Sequence, residues 1–346
     1  MKTTILVSLT ALTLAPMALA QGCVGDIVAD NRVDGADLGT LLAYWGPRTS
    51  ATFSIASDLK NDGRIDGADL GILLANWGVC LPSPPSWATV IQFQVDPAVV
   101  TDVNLRNAIS ATGLPWRVND AASGMEMLLV PPGTFRMGCG QEPPQEGCLW
   151  NEVPSHIVTL THAFYLGRFE VTQADWIAVM GTNPSWFTAA NGYPGSNSRP
   201  VDRVSWYSIQ GFLAATSMRL PTEAEWEFAC RAGTTTALYN GSEDLTTLPA
   251  ISWCAYNSNS ETHPVGSLAA NRLGFHDMLG NVWEWVNDWY GPYSAAEQID
   301  PTGPFASENG TLRGGGWGHT AGSDDRFGNW RSSAFNLFGF RVARNP

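Results

Sequence analysis

The chain of 346 residues carries 32 acidic against 19 basic side chains, a formal charge of −13, with charged residues only 15% of the whole. It contains no run of basic residues, which excludes the electrostatic footprint of a nucleic-acid or anionic-membrane binder and makes cations the expected company. Abundant Gly (35), Pro (22) and Trp (15) describe a loop-rich, rigidly packed molecule rather than one of long surface helices.

Residues 1–20 open with Lys2, run apolar from Ile5 and finish in Ala18-Leu19-Ala20. That is the pattern of a signal peptide cleaved before Gln21, so the mature protein is expected to be secreted or periplasmic. Beyond it no apolar run reaches the roughly 18 residues of a membrane span, and no membrane partner is expected. Six cysteines are an even number in an exported chain, for which disulfides are the default. A nested pairing, Cys23–Cys80, Cys139–Cys148 and Cys230–Cys254, is the expectation among the many that six cysteines permit.

The stretch GDIVADNRVDGADLGTLLAYWG (Gly25 to Gly46) recurs as SDLKNDGRIDGADLGILLANWG (Ser57 to Gly78). Each copy places acids at positions 1, 5, 9 and 12 of a loop: Asp26, Asp30, Asp34 and Asp37, then Asp58, Asp62, Asp66 and Asp69. A hard cation wants six to eight oxygens, roughly, and such a loop can aim its carboxylates inward while Arg32 and Arg64, at position 7, offer backbone carbonyls. Calcium is therefore the expected cofactor. After each loop, Leu38, Leu41, Leu42 and Trp45, then Leu70, Leu73, Leu74 and Trp77, mark one helix face, and the two faces are expected to pack together.

Loop plus helix, twice, resembles the type I dockerin module, over residues 21–80. The resemblance implies a small all-α pair of half EF-hands, two calcium ions and a cohesin-like protein partner. Position 3, Asn or Asp in the family, is Val28 and Lys60 here, so weakened calcium binding is expected. Residues 81–121, opening with the proline-rich LPSPPSW, read as a linker.

From Gly124, GMEMLLVPPGTFRMGC alternates apolar residues around a Pro-Pro-Gly turn and predicts a hairpin. Thr172 with Asp175 and Gly181, and Thr222 with Glu225 and Gly233, bracket two short capped helices. Together with RPVDRVSW, GFHDMLGNVWEWVNDWY, LRGGGW and FGFRVAR, these blocks resemble the formylglycine-generating enzyme (sulfatase-modifying factor) family over residues 122–346. The resemblance implies an α+β, C-type-lectin-like fold. It also implies an oxidoreductase that converts a sulfatase cysteine to formylglycine with O₂ and a copper(I) held by two cysteines.

Those two cysteines would stand at His319 and Asp324, and Gly316 replaces the family's Ser. None of the six cysteines lies in this stretch, so loss of the copper centre is expected, since copper(I) takes soft thiolates. Either His319 and Asp324 hold a harder metal, or the loop is a binding face for a peptide, glycan or protein. His319, Ser323, Asp324, Asp325, Arg326, Phe327, Asn329 and Trp330 are residue types suited to recognition. Alternatively Trp317, Trp330, Phe338 and Phe340 are core and the rest is only a loop. The motif HDMLGNVWEW resembles a family calcium site, which implies Asp277, Gly280, Val282 and Glu284 as ligands; Glu284 as a buried salt-bridge partner is the alternative.

Overall fold

A computed structural model describes residues 24–28, 32–47, 55–79, 84–140, 148–320 and 322–346. The expected signal peptide, Asp30, and Cys23 and Cys80 with their expected bridge fall outside these residues. The chain divides into two compact units, 1–83 and 84–346. Among the described residues no helix is long and apolar enough to cross a membrane.

The first unit runs β1 (Arg32–Val33), α1 (Gly35–Ala43), β2 (Gly46–Pro47), β3 (Arg64–Ile65), α2 (Gly67–Ala75) and β4 (Gly78–Val79). Asp34 and Asp66 are N-caps, and Asp37 and Asp69 complete the capping boxes, so the last two acids of each loop also start a helix. The ribbons cross between the repeats: β1 pairs with β4 and β2 with β3. The buried core is small, Val33, Leu41, Ile65 and Leu73, with Ile27, Leu38, Leu59 and Leu70 against it. The helix faces pack only through this inner half. Leu42, Trp45, Leu74 and Trp77 remain 47–52% exposed, because a stripe that wide exceeds what a single neighbouring helix can cover.

The second unit begins earlier than its family blocks. The 81–121 segment, expected as a linker, contains β5 (Ala88–Gln92), α3 (Val103–Ala111) and β6 (Arg117–Asp120). These join β7 (Glu126–Val130), β10 (Phe164–Gly167) and β16 (Ala343–Arg344) in a five-stranded sheet of order β16-β10-β7-β6-β5. β8 (Gly133–Met137), β9 (His156–Leu160) and β12 (Gln298–Ile299) form a second sheet; β11 (Trp283–Trp289), β13 (Asn309–Arg313), β14 (Arg326–Trp330) and β15 (Phe338–Gly339) form a third.

The expected hairpin at Pro131-Pro132-Gly133 is not one. β7 pairs with β6 and β10, whereas β8 pairs with β9, so the two prolines carry the chain from one sheet to another. Neither proline has an N–H with which to close a ladder across the turn.

Helix α4 (Gln173–Met180) packs against α5 (Trp206–Thr216), and α6 (Glu223–Arg231) packs on β8, β9, β11 and β13. Thr172/Asp175 and Thr222/Glu225 form the anticipated capping boxes, and Gly181 is the left-handed stop of α4. Trp176 and Phe212 stack at 5.5 Å, and Phe340 meets both rings edge-on, which locks α4 and α5 to the C-terminal strand region. Of the expected cysteine pairs, Cys139–Cys148 is a disulfide. Cys230 and Cys254 are separate buried thiols, each held in the packed interior, and burial pushes the Cys230 thiol up to about 12.

Candidate functional site

α6 supplies the floor of the site. Glu223, Glu227 and Arg231 recur every four residues and so share one helix face. Above them, the register of β13 with β14 sets Arg313 opposite Arg326. Two like charges side by side in a buried sheet are tolerable only if each has its own counter-ion. Arg326 forks onto Glu223 at 2.7 and 2.8 Å, Arg313 donates to Glu227 at 2.5 Å, and Arg231 donates to the other Glu227 oxygen at 2.8 Å. Burial alone would raise the Glu223 carboxyl, but Arg326 and Arg313 hold it below its ordinary value.

This buried network carries the loop 316–325. Gly314 and Gly315 adopt positive φ of 89° and 75°. At Gly314 a Cβ would sit 2.8 Å from the Met278 carbonyl and 2.9 Å from the Trp226 ring, so the chain crosses the core where no side chain fits. Arg313 then donates to the backbone carbonyls of Ser323 and Asp324 at 2.8 Å, fixing the far end of the loop.

The two positions expected to replace the copper thiolates diverge. His319 is exposed, with Trp283 Nε1 donating to its Nδ1 at 3.4 Å. It lines an open groove of about 450 Å³ with Trp150, Trp283, Tyr290, Asp325 and Phe327. Asp324 turns inward, 7% exposed and 3.9 Å from Arg231; burial raises its carboxyl to about 6. Among the described residues, the donors that gather within 4.8 Å of one another are Asp324, Glu152 and Cys139, and His319 is not with them.

The expected recognition residues divide in the same way. Phe327 and Trp330 are exposed, and Asp325 and Asn329 are partly so. Ser323, Asp324 and Arg326 are buried structural members. Phe338 and Phe340 are core, as the alternative reading required, but Trp330 is 65% exposed and is not. The sequence offered no signal for Trp150, 81% exposed across the groove, or for Glu152, because both reach the loop only through the fold.

The HDMLGNVWEW residues lie together in the interior. Asp277 Oδ2 accepts from Gly266 N at 2.6 Å, while Oδ1 is buried without a partner, and burial raises the carboxyl to about 6. That orphaned oxygen fits a cation. Glu284 fits less well: its oxygens accept from Arg341 at 2.6 and 2.6 Å and from Trp226 at 2.7 Å. Gly280 has a positive φ of 82°, and a Cβ there would overlap Ser252 and Trp253. Val282 N donates to Glu170, an unanticipated third carboxylate, 1% exposed and pushed well above its ordinary value by burial and by Asp277 and Glu284.

In the first unit the loop acids serve the backbone. Asp37 accepts from Ile27, Val28 and Asp34 amides at 2.6–3.0 Å; Asp69 accepts from Lys60 and Asp66, and Asp58 from Asp62 and Gly63. Arg32 and Arg64 reach toward Asp34 and Asp66, and the Lys60 ammonium lies 3.2 Å from Asp62. Asp26 follows the turn at Val24 and Gly25. These oxygens suit calcium, but Lys60 competes for one of them. If the second loop takes calcium, Lys60→Asp is expected to tighten its binding on the order of tenfold, by adding a ligand and removing a positive charge. Calorimetric titration of the full chain checks it; unchanged affinity would show that Lys60 does not face the ion.

A family model described as the sulfatase-modifying factor enzyme 1-like domain matches residues 116–346, and a dockerin type I model matches residues 24–76. The formylglycine-generating enzyme of Thermomonospora curvata is 30% identical over 251 residues, 54% of this chain and 80% of that one. A Chlamydia caviae protein named serine/threonine-protein kinase pkn1 is 38% identical over 160 residues, 44% of this chain; the chain spans only 25% of that relative. Among solved structures, Treponema denticola variable protein 1 matches at 27% identity and a TM-score of 0.57, over 64% of this chain and 95% of that one. PvdO of Pseudomonas aeruginosa matches at 25% identity and 0.55, over 66% and 98%.

Proposed function

Because residues 116–346 make this chain a member of the sulfatase-modifying factor enzyme 1-like family, we propose that it keeps the family scaffold for recognition and not for cysteine oxidation. The observation that carries this reading is the divergence of the family's copper positions. His319 faces an open aromatic groove, Asp324 is turned into an arginine network, and the thiols Cys230 and Cys254 are buried away from solvent. A soft copper(I) ion has no thiolate pair to take there.

In this proposal the protein is exported, and its dockerin unit docks on a cohesin-like partner through the exposed Leu42, Trp45, Leu74 and Trp77. The groove of Trp150, Trp283, Tyr290 and Phe327 then presents flat aromatic surface to a peptide, glycan or protein ligand. Similarity to a structure named a variable protein is consistent with a scaffold whose surface residues are free to differ.

Two measurements test it. Incubated with a Cys-x-Pro-x-Arg peptide, copper(I) and O₂, the protein is expected to leave the peptide mass unchanged; aldehyde formation would establish an oxidase with an altered metal centre instead. In a screen of peptides and glycans, binding of any hit is expected to weaken at least about tenfold, or about 1.4 kcal/mol, in Phe327→Ala and His319→Ala with unchanged melting. Hits that bind both variants as tightly as the parent would place recognition elsewhere.

A further inference from the structure

The segment closed by the Cys139–Cys148 disulfide leads directly to Glu152, which is tied back by Cys139 N donating to its carbonyl at 3.0 Å. The Glu152 side chain is 2% exposed. Its Oε2 accepts from Leu149 N at 2.7 Å, but no backbone amide or cationic side chain donates to the buried Oε1. From the opposite side the turn 322–325 brings Asp324 and Asp325 to the same point. Ligand atoms of Glu152 and Asp324 lie within 4.8 Å of each other, Asp325 lies within hydrogen-bonding reach of Glu152, and Asp325 Oδ2 accepts from Gly322 N at 3.0 Å.

The cations around these three carboxylates do not balance them. The cations nearby are Arg231, Arg313 and Arg326, and Glu227 and Glu223 already take the short contacts of all three. Arg231 reaches Asp324 only at 3.9 Å. Three arginines against five carboxylates leave two negative charges in a largely buried place, which is stable only if protons or a cation supply the difference.

The donor set distinguishes among cations. Every available atom is oxygen, because the Cys139 sulfur, although within 4.8 Å, is in a disulfide and is no thiolate. Hard divalent ions prefer such sets, and copper and zinc do not. Asp325 lines the open groove and supplies an entry path from solvent.

We propose that Glu152, Asp324 and Asp325 form a site for one hard divalent cation, calcium, which fastens the turn 322–325 to the stretch 148–152 that follows the disulfide. It is separate from the dockerin loops and from Asp277, and its existence does not depend on what the groove recognises.

The test is calcium stoichiometry on the full chain, by equilibrium dialysis and elemental analysis, comparing the parent with Glu152→Gln/Asp324→Asn. Sites elsewhere are common to both and cancel, so the variant is expected to bind one ion fewer per chain while keeping the parent's circular dichroism. Equal stoichiometry would overturn the proposal and leave protons as the compensation. Should the double variant not fold, Asp325→Asn in a chain also carrying Asp37→Ala and Asp69→Ala provides a second reading by limited proteolysis. Calcium is expected to slow cleavage within 319–328 at least fivefold when Asp325 is present and not when it is absent; equal protection in both chains would overturn the proposal.

Discussion

Glu284→Ala is expected to destabilise the larger unit by about 3–5 kcal/mol, the cost of leaving a buried charge without its partner. Arg341 is fully buried, and its other donors reach only the backbone carbonyls of Gly167 and His276. Removing Glu284 therefore deprives the guanidinium of its hydrogen-bonded carboxylate, leaving only the more remote Glu170 and Asp277, and also leaves Trp226 Nε1 without its 2.7 Å acceptor. With a total stability of about 5–15 kcal/mol typical of native proteins, the loss brings the unit near unfolding at growth temperature. Urea denaturation measures it, and Glu284→Ala/Arg341→Met is expected to recover most of the loss, since removing both charges costs far less than removing one. If Glu284 acted mainly as a calcium ligand, the cost would vanish in chelator, and the ion pair would not be its principal role.

Asp37→Ala/Asp69→Ala is expected to unfold the smaller unit and leave the larger one intact. Each carboxylate is fully buried and accepts backbone amides from its own loop while closing the capping box of its helix. Every amide stranded in this way costs about 1–3 kcal/mol. Four fully buried apolar side chains cannot offset several such losses, because domains this small are marginal even when complete. The amide pattern holds both carboxyls below their ordinary values against the opposing effect of burial. Hydrogen exchange on the full chain should show loss of protection across 33–47 and 64–79 alone. Retained protection at millimolar calcium would assign the order of this unit to something other than these two side chains.

What could be read from the residues was what is local or repeated. The capped helices at Thr172 and Thr222 are written in four consecutive residues each, and the dockerin repeat announces itself by duplication. β5 carried no such mark: its half-exposed edge position leaves no alternation, and it is held by register with Val118 and its neighbours in β6. The pairing of Cys230 with Cys254 followed from counting alone, but both are free thiols buried in the same core, and Cys254 Sγ faces Asn257 Oδ1 at 3.5 Å instead. At the candidate site, His319 and Asp324 could be located by their distance from Trp317. That they face opposite ways follows from Arg313 gripping the Ser323 and Asp324 carbonyls, a contact between side chain and distant loop that no spacing encodes.

The crossed ribbons of the first unit have a topological consequence. β1 lies against β4, so Arg32 and Val33 of the first repeat sit beside Val79 and Gly78 at the end of the second, while β2 against β3 pairs the end of the first helix's repeat with the loop of the next. Neither repeat closes on its own, since each borrows a strand from the other. The order in which the repeats are threaded is therefore interchangeable: a circular permutant that joins residue 79 to residue 24 and opens between 48 and 54 would preserve every strand pairing and both capped helices, presenting the same two exposed Leu/Trp faces in exchanged places.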